Sequence, residues 1–414
     1  MKMSRFASDA GKIMVGNIVA RAFSAVTVIL IARTLSPAVY GQYAASLSVA
    51  RLSSILFNLG LDAWLLKSGG ERPEELGGKV GSVLWVKSLL GVVWLVGITL
   101  LAWLVDRESF PYLFVALCAT SVWFESIAAT AIDAFKSALR NNLTVGLTLA
   151  GQILISVIVV GLILLGWDEA FVLLSGRVVA TLIAAGGSFY LLWRLLPLEV
   201  VWERTRRILR ETRAFGVSLG LAMVAAQADV TLVAYFLGRE AAGLYAPAIT
   251  LAMTAFLVPN SIHQVLLPTL SQMKSRGVGE IQRQIPRMMW GALGMGVVLA
   301  VPMGVVARPL TLLVYGEAYA FSGDLLTIFA AVMFLRSFAA VTSAILAAVG
   351  WQRYRVYAQI GSVVTAVGGN IGVLTMTEWG LVGVAFVYVL AEGVLVCGCL
   401  WFVWQWEKGM RDEG

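Results

Sequence analysis

Apolar runs of about 20 residues or more, each closed by charge, glycine or proline, follow one another along the whole chain. They lie near 12–34, 38–66, 80–104, 110–136, 142–166 and 170–193, then near 214–237, 241–271, 287–314, 322–349, 354–376 and 379–406. About 20 apolar residues in helical form span the hydrocarbon of a bilayer. The pattern therefore predicts an all-α integral membrane fold of twelve transmembrane helices. One long polar interruption divides them: Arg194, Arg204, Arg206, Arg207, Arg210 and Arg213 crowd into residues 194–213. The expected organisation is an N-terminal six-helix lobe over 1–193, a basic cytoplasmic linker over 194–213 and a C-terminal six-helix lobe over 214–414.

The second half repeats part of the first. At an offset of 202, Leu35, Gly41, Tyr43, Ala44, Ala50 and Asn58 meet Leu237, Gly243, Tyr245, Ala246, Ala252 and Asn260, and Val28, Leu30 and Ala32 meet Val230, Leu232 and Ala234. A repeat six spans later keeps its orientation. It predicts lobes related by a pseudo-two-fold axis along the membrane normal, with a substrate site between them. A weaker echo at offset 211 sets Glu125 beside Arg336 and raises the expectation that the two face one another across a cleft.

Charge placement orients these spans. Lys and Arg collect in alternate loops and in both terminal segments, whereas the other side carries only Arg33, Arg107, Arg239 and Arg308. Under the positive-inside rule both termini are cytoplasmic. The chain is 59% hydrophobic and 13% charged, far from the roughly 25% charged residues of soluble domains. A soluble fold is excluded, and the net charge of +7 reads as membrane orientation with no nucleic-acid partner. The first apolar run shows no small-residue cleavage site and is expected to stay in the mature protein. Cys118, Cys397 and Cys399 all fall in apolar segments, as packing residues rather than a disulfide framework. The single histidine, His263, and the close Cys397–Cys399 spacing give no metal site. Most tryptophans at span ends, including Trp103, Trp167, Trp193, Trp202, Trp351, Trp401, Trp404 and Trp406, fit an interfacial belt.

Candidate chemistry lies in the charges that the pattern buries. A charge at the centre of a span costs about 2.5–3.5 kcal/mol or more, so each needs a partner or a watery cavity. Arg21, Arg51, Lys87, Arg177 and Arg336 are the embedded cations, and Glu125, Asp229 and Glu392 the acids well inside spans. Asp62 and Asp133 fall near span ends, where water can solvate them. The cations either form an anion-binding cavity, since arginine grips phosphate in bidentate fashion, or pair internally with those acids and fix helix packing. Glu125, Asp229 and Glu392 are candidates for ion coupling or charge pairing, with H+ or Na+ as the coupling ion and no other cofactor. His263, near Asn260 and Gln264, reads as a packed polar residue before a proton relay. Pro259, Pro268 and Pro302 are candidate kinks.

Several short stretches carry a family likeness. Gly16-Asn17, Leu30-Ile31-Ala32-Arg33-Thr34-Leu35-Ser36-Pro37, Tyr40-Gly41-Gln42-Tyr43-Ala44 and Asn58-Leu59-Gly60-Leu61, with Asp229, Leu237-Gly238, Ala242-Gly243-Leu244-Tyr245-Ala246 and Pro268-Thr269-Leu270-Ser271, resemble the bacterial polysaccharide-biosynthesis flippases of the Wzx type. That family lies in the multidrug/oligosaccharidyl-lipid/polysaccharide exporter superfamily. The resemblance implies a multi-pass protein of the bacterial inner membrane that moves a polyprenyl-pyrophosphate-linked oligosaccharide, for example for exopolysaccharide or O-antigen, by ion-coupled alternating access. Its implied partners are the lipid-linked oligosaccharide, membrane lipids, a polysaccharide polymerase and assembly proteins. The drug-exporting branch commonly carries an acid on its first span, where this chain has Arg21. The competing functions are a cation-coupled multidrug exporter of the same superfamily, a lipid II flippase, for which two further spans would be usual, and a membrane-embedded glycan polymerase or ligase. The short outer loops show no catalytic pairing of acids, so an enzyme is not expected.

Overall fold

The computed structural model describes residues 2–71, 73–105, 108–200, 202–276 and 278–412; Arg72 and Arg107, both used in the loop-charge argument, lie outside them. The described chain is helical with no strand, and divides by its internal packing into a unit over Met1–Glu240 and a unit over Ala241–Gly414. Among the described residues eleven helices are long and apolar enough to cross a membrane, or twelve when one bent pair counts as a single span.

The first unit contains α1 (Lys2–Thr34), α2 (Pro37–Ser53), α3 (Ile55–Asn58), α4 (Leu61–Glu71), α5 (Leu76–Val105), α6 (Tyr112–Ser137), α7 (Asn141–Leu164), α8 (Ala170–Leu195), α9 (Trp202–Glu211) and α10 (Arg213–Phe236). Helix α6 is its hub, packed against α2, α4, α5, α7 and α8. Helix α10, the start of the second sequence half, packs on α2 and belongs to this unit. The second unit contains α11 (Arg239–Ala255), α12 (Leu257–Arg276), α13 (Val278–Tyr315), α14 (Ala320–Val349), α15 (Gln352–Met376) and α16 (Gly380–Asp412), with α14 at its centre against α12, α13 and α16.

Apolar side chains face both ways, as a bilayer solvent requires. Leu61, Leu65, Val80, Phe135, Leu192 and Ile208 form a buried core in the first unit, and Leu270, Ile281, Val341, Ile345, Cys399 and Trp406 one in the second. Val93, Val96 and Leu101 on α5 and Val298, Val301 and Val305 on α13 are exposed. In water such surfaces would cost about 25 cal/mol per Å²; against lipid tails they cost nothing. Trp103, Trp167, Trp193, Trp401 and Trp404 are exposed, whereas Trp406 is buried and serves the core rather than the belt.

The sequence repeat recurs as structure. Helices α2 and α11 each have 17 residues, and their bounds differ by the same offset of 202. Tyr43 and Tyr245 are both buried. After them the copies part. The second span bends by 46° between Asn58 and Leu61, through Leu59 at φ 48° and Gly60 at φ 76°. At the corresponding place α12 runs on through Asn260, Ser261 and Ile262. A β-branched isoleucine resists the left-handed region that glycine enters freely. Pro259 and Pro268 fall within α12 and Pro302 within α13, and neither helix breaks at them.

The basic linker is a docked strap. Pro197 and Glu199 lie so close to Gly77 and Gly81 of α5 that a Cβ on either glycine would come within 2.1 Å of the Pro197 carbonyl oxygen or 2.4 Å of that of Glu199. Ile208 of α9 is buried in the first unit's core, and Trp64 donates to Glu211 at 3.0 Å.

Candidate functional site

Two polar clusters in the first unit are built from one helix. On α6, Ser121 and Glu125 stand a turn apart on one stripe, and Ser126 and Thr130 a turn apart on the next. The first stripe meets α8 and α2. Buried Arg177 of α8 donates from Nη2 to Glu125 at 2.5 Å, from Nε to Ser121 at 3.0 Å and from Nη1 to the Tyr43 hydroxyl at 3.2 Å. The other oxygen of Glu125 lies 4.0 Å from Arg51 of α2, whose side chain is 40% exposed. One carboxylate thus serves two guanidiniums, and the cluster keeps one positive charge that no residue of the cluster cancels. At a separation of about 4 Å a second anion would gain roughly 4 kcal/mol from a single guanidinium at an effective dielectric constant of about 20.

The second stripe meets α4 and α5. Lys87 of α5 is fully buried, and its Nζ lies 2.6 Å from both carboxylate oxygens of Asp62, 2.9 Å from the Ser126 hydroxyl, 3.2 Å from its carbonyl and 2.9 Å from Thr130. Asp62 also accepts from Thr130 at 2.9 Å and from Asn58 at 3.1 Å. Five oxygens around one ammonium leave no room for a ligand, so Lys87 is neutralised where it stands. Asp62 is no solvated end residue, contrary to its place in the sequence reading. The 46° bend turns it inward just after Gly60. A lone lysine in a span demanded an acid at its depth, and the Asn58-x-x-x-Asp62 spacing was the available signal.

In the second unit Arg336 of α14 is hydrogen-bonded to Glu392 of α16, and its guanidinium lies 4.7 Å from the centre of the Phe256 ring. That is one cation for one acid. Glu125 and Arg336, expected to face one another, each find their partner within their own unit: Arg177 for Glu125 and Glu392 for Arg336. Glu392 Oε2 and Arg336 Nε are buried without a hydrogen-bond partner among the described residues.

The other singled-out residues are dispersed. Arg21 of α1 is exposed. Asp229 of α10 is buried, two residues from Gln227, whose carbonyl accepts from Ser48 at 2.7 Å. His263 of α12 is half-buried, with Nε2 unpartnered among the described residues. Cys118 and Cys399 are buried and Cys397 exposed, all as free thiols. No group of three potential metal ligands occurs among the described residues.

The fold is that of known membrane transporters. The chain resembles the structure titled lipid II flippase MurJ in an inward closed conformation, with a TM-score of 0.76 at 12% identity over 94% of this chain and 87% of that one. It is similar to an inward-facing MATE-family multidrug resistance transporter of the MOP superfamily, with a TM-score of 0.70 at 16% identity over 92% and 93%. A MOP superfamily transporter from Pyrococcus furiosus, described as having a binding pocket of reversed polarity, matches with a TM-score of 0.61 at 15% identity over 94% and 92%. These relatives are flippases and transporters, not enzymes. No curated protein sequence matches significantly. A family model described as polysaccharide biosynthesis protein matches residues 6–274. From its sequence, and in keeping with its fold, the chain belongs to the polysaccharide biosynthesis protein family of multi-pass membrane proteins.

Proposed function

We propose that the protein is a flippase that moves a polyprenyl-pyrophosphate-linked oligosaccharide across the bacterial inner membrane by alternating access. The observation that carries this reading is the unequal charge around Glu125, where buried Arg177 holds the carboxylate at 2.5 Å and leaves the 40%-exposed Arg51 at 4.0 Å. A half-free guanidinium beside a fixed one suits a dianionic pyrophosphate, which takes two donors from a planar fork. Arg21, exposed on the first span, adds a second cation without an acid beside it in sequence. The polyprenyl tail stays in lipid while the glycan crosses. Membership in the polysaccharide biosynthesis family supports a glycan cargo, and the MurJ-like fold supports a lipid-linked one.

In this reading Lys87 and Arg177 hold the first unit together and Arg51 and Arg21 meet substrate. Arg336 and Glu392 form a neutral pair whose unpartnered oxygen is the place for a coupling H+ or Na+. Both termini lie on the cytoplasmic face, and a polymerase and assembly proteins receive the product. The MATE-like fold favours one second reading, a cation-coupled drug exporter; an excess of embedded positive charge would repel such cargo. Proteoliposomes offered a polyprenyl-pyrophosphate oligosaccharide or a cationic dye separate the two. Glycolipid movement that Arg51→Gln abolishes supports the flippase. Dye movement indifferent to Arg51 sinks it.

A further inference from the structure

The strap between α8 and α10 has two faces with different chemistry. Thr205, Ile208 and Thr212 fall on one stripe and are buried. They seat α9 on the first unit, helped by the hydrogen bond from Trp64 to Glu211. Arg206, Arg207 and Arg210 lie on the opposite side of the same helix and are exposed, with Leu209 between the two faces also exposed. Among the described side chains of α9, Glu211 is the one acid, and it is engaged by Arg207 at 2.7 Å and by Trp64. Glu75 lies within electrostatic range of Arg207 but pairs with Lys79 at 3.7 Å. Arg206 and Arg210 have no acidic partner among the described residues.

The position of this helix is fixed by the spans on either side. Helix α8 ends at Leu195 and the next candidate span begins at Phe215. The short connection must therefore stay at one membrane face. Helix α9 has 10 residues, about 15 Å of length, and with its buried stripe docked its three guanidiniums face outward beside the ends of the two flanking spans, where a bilayer would present its headgroups. Basic side chains there attract anionic lipid, each by roughly fivefold in local preference. An exposed leucine between the arginines and the docked side suits the headgroup–acyl boundary.

We propose that the outer face of α9 is a binding surface for acidic phospholipid headgroups, contacted by Arg206, Arg207 and Arg210. Because the strap is anchored to α4 and α5, such lipids would bear on the bent second span of the first unit. This surface does not depend on what the protein carries.

The test uses the full chain in nanodiscs of phosphatidylcholine with a minority of phosphatidylglycerol, and counts the lipids retained by native mass spectrometry after release. The wild type is expected to retain phosphatidylglycerol well above its bulk share. R206Q/R207Q/R210Q is expected to lose that preference by about tenfold or more, with only the slight change of thermal midpoint in pure phosphatidylcholine that loss of the Arg207–Glu211 contact brings. R206K/R207K/R210K keeps charge and is expected to keep the preference. Should the triple glutamine variant fold poorly, Arg210→Glu, at a side chain with no hydrogen bond among the described residues, is expected to lower retention on its own. Retention at the bulk ratio in the wild type, or at the wild-type level in the glutamine or Arg210→Glu variant, would overturn the proposal.

Discussion

The two units bury charge by different rules. In the second, Arg336 and Glu392 meet one to one. In the first, Lys87 and Asp62 also close on each other, but Arg177 and Arg51 share a single acid, Glu125. A balanced pair costs desolvation and returns packing specificity. An unbalanced cluster holds a standing attraction for an anion. Burial separates the two arginines further: Arg177, with three side-chain partners, cannot move to a ligand without loss, whereas Arg51 is half in the open. The lesson is that counting embedded cations overstates a binding site. What matters is the count left after each acid has chosen its partner.

The largest effect expected of breaking this arrangement is at Lys87. Lys87→Met leaves Asp62 turned inward without its counterion and is expected to cost about 3–5 kcal/mol, read as a lowered unfolding midpoint in detergent. Lys87→Met with Asp62→Leu should recover most of that loss; if the double variant is no better than the single, the pair is not the organising contact. Next is the bend that brings Asp62 inward. Gly60→Ala must hold φ 76° and place a Cβ 2.5 Å from the Gly216 backbone nitrogen, an expected cost of about 1–3 kcal/mol. An unchanged midpoint would show that the bend is not held as described. In the second unit, Glu392→Gln leaves Arg336 with a neutral partner and the Phe256 ring, an expected loss of about 1–3 kcal/mol. A larger loss than at Lys87 would reverse the ranking of the two pairs.

The smallest effect is at the strap. The hydrogen bonds from Arg207 and Trp64 hold the Glu211 carboxyl below its ordinary 4.5. Because the folded value is depressed, its contribution is complete above the ordinary value and is lost as pH falls through the depressed one. Glu211 is partly exposed, so solvent screens the effect. Wild type and Glu211→Gln should differ slightly in midpoint at pH 7 and converge on acidification. A gap that widens in acid would contradict the assignment.

Most of the fold was legible because hydropathy alone sets spans in a bilayer. The apolar runs mark most helices to within a few residues but miss the polar first turns of α1 and α13 and the polar ends of α4 and α16, and the repeat at offset 202 places α2 and α11 to the residue. The bend after Asn58 was not legible, because glycine marks many places in membrane helices, and among the described glycines of positive φ Gly60 alone packs against the start of another helix, at Phe215 and Gly216 of α10. Asp62 was misplaced for that reason: counted along a straight span it reaches the end, and on a bent one it turns into the bundle. The partner of Glu125 was equally hidden. Arg51, Arg177 and Arg336 are alike in sequence, and only the stripe of α6 that meets α8 decides between them. The linker's arginines were visible at once, but Ile208 and the glycines of α5 that dock the strap gave no signal apart from their apolar or small character.

The central claim is that Arg51 and Arg21 meet an anionic glycolipid. Its most direct test is translocation of a fluorescent polyprenyl-pyrophosphate oligosaccharide by protein reconstituted in liposomes, comparing wild type with Arg51→Gln and Arg21→Gln at equal abundance and equal unfolding midpoint. The account predicts movement by the wild type and a loss of tenfold or more, roughly 1.4 kcal/mol or more in transition-state free energy, in each variant. Wild-type rates in both variants, or movement of a cationic dye in place of the glycolipid, would contradict it.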